Sequence, residues 1–330
     1  MTSAMQELAA ARKKHNKFKM KCVVPTDEGG LCGRNPIRSH SIQHNGILSR
    51  LAENGIVYCL GETTKGDEIF EYDLKDQGVT RQASIFECLC KEHDDVLFAD
   101  IEKRVFEGEP KQCFQFALKA LLHSYWSKHN DAGIVKKYSQ DNQIACQIIE
   151  DQKAYSSELN RFWEIMKTEQ YQDLLCRIIT INFEINSAVS TSINVCRKFD
   201  GALFGEENKD YPLLHISAFP IEGKSYVLIS ALKENEQYFK AFTQQFVMLS
   251  QSAILKQLNI LLPLLAENIM ISPRVVSKMT PTEKEHLMMI FRPETMGFYY
   301  KFGFNIYQWA ECILRRRTAA GAVTNGRRAV

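Results

Sequence analysis

The chain lacks several features that would assign it to a class directly. It has no run of about eighteen apolar residues, so no membrane-spanning helix and no membrane contact are expected. Its N-terminal segment has no apolar stretch with a small-residue cleavage site, so no secretory signal is predicted. The sequence also has no glycine-rich phosphate loop, no nucleophile elbow and no dinucleotide fingerprint. We therefore expect a cytoplasmic protein whose function does not follow from a common catalytic motif.

Net charge is also too small to indicate a partner, because 41 basic and 39 acidic residues leave only +2. The distribution of charge is more informative near the N-terminus. An amphipathic helix is predicted over residues 3–20, and most of a cluster of basic residues falls within it. A basic cluster of this kind can neutralise nucleic-acid phosphates. The same residues could equally form a solvated helix face, so both interpretations stay open. The cluster contains no acidic residue and consists of Arg12, Lys13, Lys14, Lys17, Lys19 and Lys21.

Ten cysteines in a chain with no predicted export signal indicate reduced thiols and metal ligands rather than disulfides. Cys90 and His93 stand three residues apart at the start of a predicted helix, so their side chains share one face. Cys22 and Cys32 flank a loop rich in glycine that can supply a second pair. Structural zinc sites combine two such pairs, so these four residues are predicted to bind one Zn²⁺. Cys88 competes with Cys90, but it stands before the helix.

The apolar patterning predicts an α+β fold in two parts. Residues 1–108 are predicted to form a zinc-binding module with the basic N-terminal helix, and residues 109–330 an α+β domain. The module is expected to contain a helix over 45–54, strands over 56–60 and 69–73, and a helix over 91–106. In the larger domain, helices are expected over 112–128, 140–167, 234–256, 258–270 and 306–316.

Between the helices of the second part, two pairs of segments alternate in polarity and are rich in β-branched residues. Residues 177–185 are predicted to pair with 190–199, and residues 213–219 with 225–232. Together they predict an antiparallel sheet of about four strands, which follows the zinc-binding module in the sequence.

The order of motifs in residues 20–105 resembles the treble-clef zinc module of HNH nucleases. A cysteine loop comes first, then the segment Ser39-His40-Ser41-Ile42-Gln43, a helix, and a Cys-x2-His pair that opens a second helix. The resemblance implies that His40 acts as a general base, that Asn45 or Asn54 orients it, and that Mg²⁺ is a catalytic ion. The sequence departs from that family at Ser39, where an acidic or histidine metal ligand is often found. A structural alternative makes His40 a buried imidazole that hydrogen-bonds a backbone carbonyl of the cysteine loop and fixes this loop around the zinc.

The N-terminal third is also similar to bacterial proteins associated with defence against phage. The leading hypothesis is therefore a zinc-stabilised cytoplasmic protein that contacts nucleic acid or a protein partner in anti-phage defence. The alternative is a metal-dependent HNH-like nuclease centred on His40. A third hypothesis is an interaction module that forms a homo-oligomer through aromatic residues over 298–304.

Overall fold

The computed structural model describes residues 20–65, 69–138, 143–205, 211–266 and 268–290. Of the predicted basic cluster, only Lys21 lies within these residues. The predicted helix over 306–316 and the aromatic segment over 298–304 lie outside them. Among the described residues, no helix has the length and apolar character needed to cross a membrane.

The N-terminal part combines short helices with two pairs of strands. The predicted helix over 45–54 is a short π-helical turn, His44–Leu48, followed by one turn of α-helix. The helix predicted over 91–106 is broken at Phe98, whose ring is buried, and ends at Lys103. The elements are β1 (Ser39–His40), α1 (Ser49–Leu51), β2 (Ile56–Lys65), β3 (Ile69–Gly78), β4 (Ile85–Phe86), α2 (Lys91–Leu97) and α3 (Ala99–Lys103).

The remaining elements build the larger part of the molecule. The helix predicted over 234–256 is two helices, because Ser250 accepts a hydrogen bond from the backbone N–H of Ala253 and caps a new one. The elements are α4 (Pro110–Tyr138), α5 (Gln143–Thr168), β5 (Leu174–Ile181), β6 (Ser187–Asn194), β7 (Leu213–Ile221), β8 (Lys224–Leu232), α6 (Glu236–Val247), α7 (Gln251–Leu265), β9 (Ile269–Ile271), α8 (Pro273–Val276) and α9 (Pro281–Ile290).

The predicted antiparallel sheet is confirmed, and it has seven strands in the order β3-β2-β9-β6-β7-β8-β5. It exceeds the expected four strands because β9 pairs with both β2 and β6 and joins the N-terminal hairpin to the rest. The prediction of a helix over 258–270 was wrong at its end, where Ile269 and Met270 belong to β9. Three apolar residues are too few to reveal a strand by their periodicity.

The predicted pairing of residues 177–185 with 190–199 was also wrong. Strand β5 pairs with β8, whereas β6 pairs with β7 and β9. Arg177 and Thr180 of β5 are exposed, as an edge strand allows, whereas nearly all of β6 is buried. Alternation of polarity identified both strands but contained no information about their neighbours.

Helices cover both faces of the sheet, and the two faces differ in chemistry. The face toward α6 and α7 is packed with hydrocarbon side chains such as Val189, Ile216 and Ile229. The face toward α4 carries serines, and α4 lies close enough to hydrogen-bond them. The backbone N–H of Ser192 donates to Ser124 Oγ of α4 at 3.0 Å. Short polar side chains therefore let a long helix approach the sheet backbone.

The N-terminal part packs against α4 rather than standing apart. One apolar cluster contains Leu48, Phe86 and Phe98 from the N-terminal part together with Phe114 and Leu118 of α4. Both this core and the sheet cross residue 108. The proposed division into two domains at that residue stays a prediction.

A buried polar contact reinforces this junction. The side chain of Asn268 donates hydrogen bonds to Ser41 Oγ at 2.7 Å, Ser84 Oγ at 3.2 Å and the Ser190 carbonyl at 2.9 Å. Asn268 is 2% exposed. A single amide thus connects the loop after β1, the turn before β4 and strand β6.

Candidate metal centre

Cys22 and Cys32 lie on the two arms of a tight hairpin. The backbone N–H of Cys32 donates to the Val24 carbonyl at 2.8 Å, and that of Gly33 donates to the Cys22 carbonyl at 3.2 Å. The backbone N–H of Cys22 in turn donates to the Arg34 carbonyl at 2.9 Å. The hairpin brings the two thiols together although nine residues separate them.

The tip of this hairpin explains its glycine content. Gly29 has a φ of 82° and Gly30 a φ of 113°, in a region that other residues rarely adopt. The backbone N–H of Thr26 donates to the Gly30 carbonyl at 3.0 Å and closes the turn. The glycines therefore allow the reversal that the wide cysteine spacing requires.

Cys90 and His93 supply the second pair from the start of α2. Cys90 is the N-cap residue in extended conformation, and its carbonyl accepts the backbone N–H of Asp94 at 3.0 Å. His93 lies in the first turn of the same helix. Cys88 is fully buried, with its Sγ atom 4.0 Å from the Leu122 carbonyl of α4. Cys90 is therefore part of the cluster, whereas the Cys88 thiol lies in the core against α4.

The four predicted ligand residues come together. Nδ1 of His93 lies 3.2 Å from Cys22 Sγ and 3.5 Å from Cys90 Sγ, and Cys90 Sγ lies 4.0 Å from Cys32 Sγ. All four ligand atoms fall within 4.8 Å of one another. A tetrahedral zinc ion with ordinary bond lengths separates two sulfurs by about 3.8 Å, and sulfur from nitrogen by about 3.5 Å. The spacing fits a single metal ion held by three thiolates and one imidazole.

The two thiols of the hairpin differ in electrostatic setting. Burial raises the pKa of the Cys22 thiol to about 11. A hydrogen bond from the Arg34 backbone lowers the pKa of the Cys32 thiol, which is only partly buried. A metal cation binds the deprotonated form of both, so metal binding at this cluster releases protons.

Two exposed basic residues next to the cluster are paired with acids. Arg34 forms an ion pair with Glu92, and Lys91 with Asp95 at 2.8 Å. Lys21 donates a hydrogen bond to Asn35 Oδ1 at 2.7 Å. Asn35 is a neutral amide, so this contact does not compensate the charge of Lys21.

The structure gives His40 a backbone carbonyl partner, but this carbonyl lies after β3 and not in the cysteine loop named by the structural interpretation. Its Nε2 atom lies 2.8 Å from the Val79 carbonyl, which can only accept, so Nε2 carries the proton. Burial lowers the pKa of His40. Asn54 lies in the exposed turn between α1 and β2 with a φ of 53°, and Asn45 is bonded to His44 at 2.8 Å. The hydrogen bond of His40 is thus made to Val79 rather than to either asparagine.

A second group of reactive side chains was not predicted from the sequence. Ser192 Oγ lies 2.8 Å from His215 Nδ1, and His215 Nε2 lies 3.0 Å from Glu158 Oε1. The order of groups is that of a serine–histidine–acid triad, but the ring nitrogens are exchanged, because a catalytic serine contacts Nε2 and the acid Nδ1. His215 is only 1% exposed and Ser192 3%, so the group has no access to substrate in this structure. Its members come from β6, β7 and α5, and no linear spacing could have associated them.

Comparisons of the chain with protein-family models, with curated proteins and with solved structures gave no significant match. Within the described residues, the cluster of Cys22, Cys32, Cys90 and His93 is the one group of potential ligands close enough to hold a metal ion. Its geometry is therefore the basis of the functional argument.

Proposed function

We propose that the cluster binds Zn²⁺ in a treble-clef-like module and that the protein is a zinc-stabilised nucleic-acid-contacting protein of bacterial anti-phage defence. The observation that carries the proposal is the closed set of four protein ligands. Three thiolates and one imidazole in a tetrahedron are typical of zinc, and a site without an open position is typical of a structural ion.

The ion would join two segments that lie far apart in the sequence. The tip of the hairpin of Cys22 and Cys32 is exposed, whereas its first arm is buried in the core, where Val23 N–H donates to the Cys88 carbonyl at 3.1 Å. A metal ion bonded to both segments would fix the hairpin on the helix. The N-terminal basic segment leads directly into Cys22 in the sequence.

Nucleic-acid contact is assigned to that basic segment because Arg34 and Lys91, next to the centre, are already paired with acids. Arg12, Lys13, Lys14, Lys17 and Lys19 have no acidic neighbour in sequence. Lysine and arginine clusters of this kind bind phosphate backbones with a strong dependence on salt. A protein partner is the competing assignment for the same surface.

Metal analysis of purified protein tests the structural half of the proposal. We expect one zinc per chain in the wild type, and its loss in Cys22→Ser and Cys90→Ser. Cys88→Ser is the matched control, because its thiol faces Leu122 and should leave the zinc content unchanged. A zinc content that both ligand variants retain would contradict the proposal.

Binding to nucleic acid tests the other half. Replacing Arg12, Lys13, Lys14, Lys17 and Lys19 by glutamine should weaken binding and flatten its salt dependence, by about 0.9 in the log–log slope per lost phosphate contact. A matched control replaces five exposed basic residues elsewhere, namely Lys153, Arg161, Lys224, Lys233 and Lys240. Equal losses in both variants would contradict the assignment. Phage challenge of cells that express each variant would test the role in defence.

The HNH-like nuclease is the alternative. The geometry favours it less because the hydrogen bond of His40 is made to the Val79 carbonyl and not to either candidate asparagine. The experiment is incubation of DNA and RNA with Mg²⁺. Cleavage that His40→Ala abolishes, while zinc content and melting temperature persist, would replace our proposal with the nuclease.

A further inference from the structure

A small cleft lies where the N-terminal part, α4 and the β7–β8 hairpin meet. Its volume is about 230 Å³, and Phe106, Phe116, Phe219 and Ile221 contribute apolar lining. Pockets for drug-sized ligands enclose roughly 300–1,000 Å³. The cleft is therefore suited to a ligand smaller than a drug-sized one.

Phe106 forms a rigid aromatic surface in this cleft. Its ring contacts Phe219 at 5.4 Å, Phe116 at 5.6 Å and Tyr226 at 4.9 Å between centroids, and each contact is edge-to-face. Phe116 and Phe219 are buried, whereas Phe106 is partly exposed. Three neighbouring rings thus fix the orientation of one that remains partly open to the cleft.

The segment that carries Phe106 is held in place before any ligand binds. The buried side chain of Gln112 donates to the Val105 carbonyl at 2.7 Å and accepts the backbone N–H groups of Glu107 at 2.8 Å and Gly108 at 3.2 Å. These hydrogen bonds hold the backbone on both sides of Phe106. A preorganised surface loses little conformational entropy when a ring stacks on it.

The charges of the cleft are mostly compensated within the protein. Arg50, Glu102 and Arg104 each form an ion pair with a side chain outside the cleft lining. Lys103 and Glu222 are exposed at the mouth, form no ion pair within the described residues, and have opposite charges. This balance disfavours a small anion and favours a neutral ring with hydrogen-bonding groups at its edge.

We infer that this cleft binds a nucleobase, either as a free nucleoside or as an unpaired base of a single strand. A nucleobase is neutral and planar, stacks on aromatic side chains, and presents donors and acceptors that Lys103 and Glu222 could meet. The single-strand form of the inference rests on the proposed nucleic-acid contact, because the basic segment would supply the phosphate interactions.

The test is binding of the four ribonucleosides, of short single strands and of matched duplexes, measured with the full chain. Phe106→Leu should weaken nucleoside and single-strand binding by at least about fivefold and leave duplex binding unchanged. Phe204→Leu is the matched control, since Phe204 is also partly buried and contacts Tyr238 edge-to-face at 5.3 Å, away from the cleft. Val105→Trp, at a 58% exposed lining residue, narrows the cleft without disturbing the core if Phe106→Leu fails to fold.

The outcomes separate this inference from the proposed function. Strand binding that depends on the basic segment but not on Phe106 or Val105 would overturn the inference and leave the proposed function standing. Nucleoside binding that depends on Phe106, in a chain that binds neither single strands nor duplexes, would support the cleft as a nucleobase site and overturn the proposed nucleic-acid contact. Binding of neither probe would overturn both.

Discussion

The metal centre and the Ser192–His215–Glu158 group both place a histidine among reactive side chains, yet they differ in completeness. In the buried group, each ring nitrogen of His215 has a protein partner, one hydroxyl and one carboxylate. In the metal centre, three sulfurs and His93 Nδ1 converge, and sulfur is a weak hydrogen-bonding group. The first arrangement is satisfied by the protein alone, whereas the second is close enough to hold a metal ion.

The location of each cluster in the fold fits this difference. The buried group sits between the sheet and the helices that cover it, where packing fixes its members. The metal ligands come from a hairpin with an exposed tip and from a helix start, and Cys32 is partly exposed although Cys22 and Cys90 are buried. Removal of the ion should therefore lower the free energy of unfolding far more than any single substitution in the buried group does.

The largest expected effect follows from breaking the metal centre. Cys90→Ser should destabilise the zinc-loaded protein by at least about 3 kcal/mol, because structural zinc contributes directly to folding. Thermal unfolding with parallel zinc analysis measures this. Cys88→Ala, which removes a buried thiol of the core, should cost less and retain the metal. Equal loss of zinc in both variants would break the comparison.

The next effect concerns the junction at Asn268. Asn268→Ala removes the donor of three buried hydrogen bonds and should cost about 2–3 kcal/mol in the free energy of unfolding. Urea unfolding provides the measurement, and Asn182→Ala at an exposed position is the control. If the two variants unfold alike, the polar contact does not connect the metal-binding part to the sheet.

A smaller effect is expected in the buried group. Glu158→Ala leaves His215 Nε2 without its acceptor and should cost about 1–2 kcal/mol, while zinc content stays the same. Glu164→Ala lies on the same helix with an exposed carboxylate and should cost less than about 1 kcal/mol in urea unfolding. A fall in zinc content with Glu158→Ala would show that the two clusters are not independent.

The smallest effect is a pH dependence from His40. Its pKa is lowered in the folded state, so the unfolded chain binds more protons as pH falls below about 6.5. His40 therefore contributes stability above that pH, and this contribution declines as pH falls through the folded pKa. The wild type should lose more stability than His40→Gln between neutral and mildly acidic pH, measured by urea unfolding with zinc present. A steeper loss in His40→Gln would contradict the structural interpretation of this residue.

The metal ligands were predictable because part of their arrangement is local. The Cys90 and His93 spacing at a helix start orients both side chains without reference to the rest of the fold. The hairpin of Cys22 and Cys32 was a looser prediction, since the glycines had to reverse the chain. The helices α4 and α5 were also predictable from long apolar periodicity.

Features that depend on tertiary pairing were not predictable in this way. Strand β9 is too short to show a period. The sequences of β5 and β6 also contain no signal that these strands pair with other strands rather than with each other. Ser192, His215 and Glu158 come from three separate elements. The sequence around each of them therefore gives no sign that they meet. The treble-clef resemblance and the roles of His40 and Asn54 remain predictions.

The placement of β9 also has a consequence for biosynthesis. Strand β9 pairs Met270 with Cys59 of β2 and with Ala188 of β6, so the two halves of the sheet join only after residue 271 has been made. Until then, a nascent chain presents one open edge on β2 and another on β6. Open edges are templates for pairing with other chains, and such long-range closure is slow. Chains truncated before β9 should therefore aggregate during synthesis even when all four metal ligands are present.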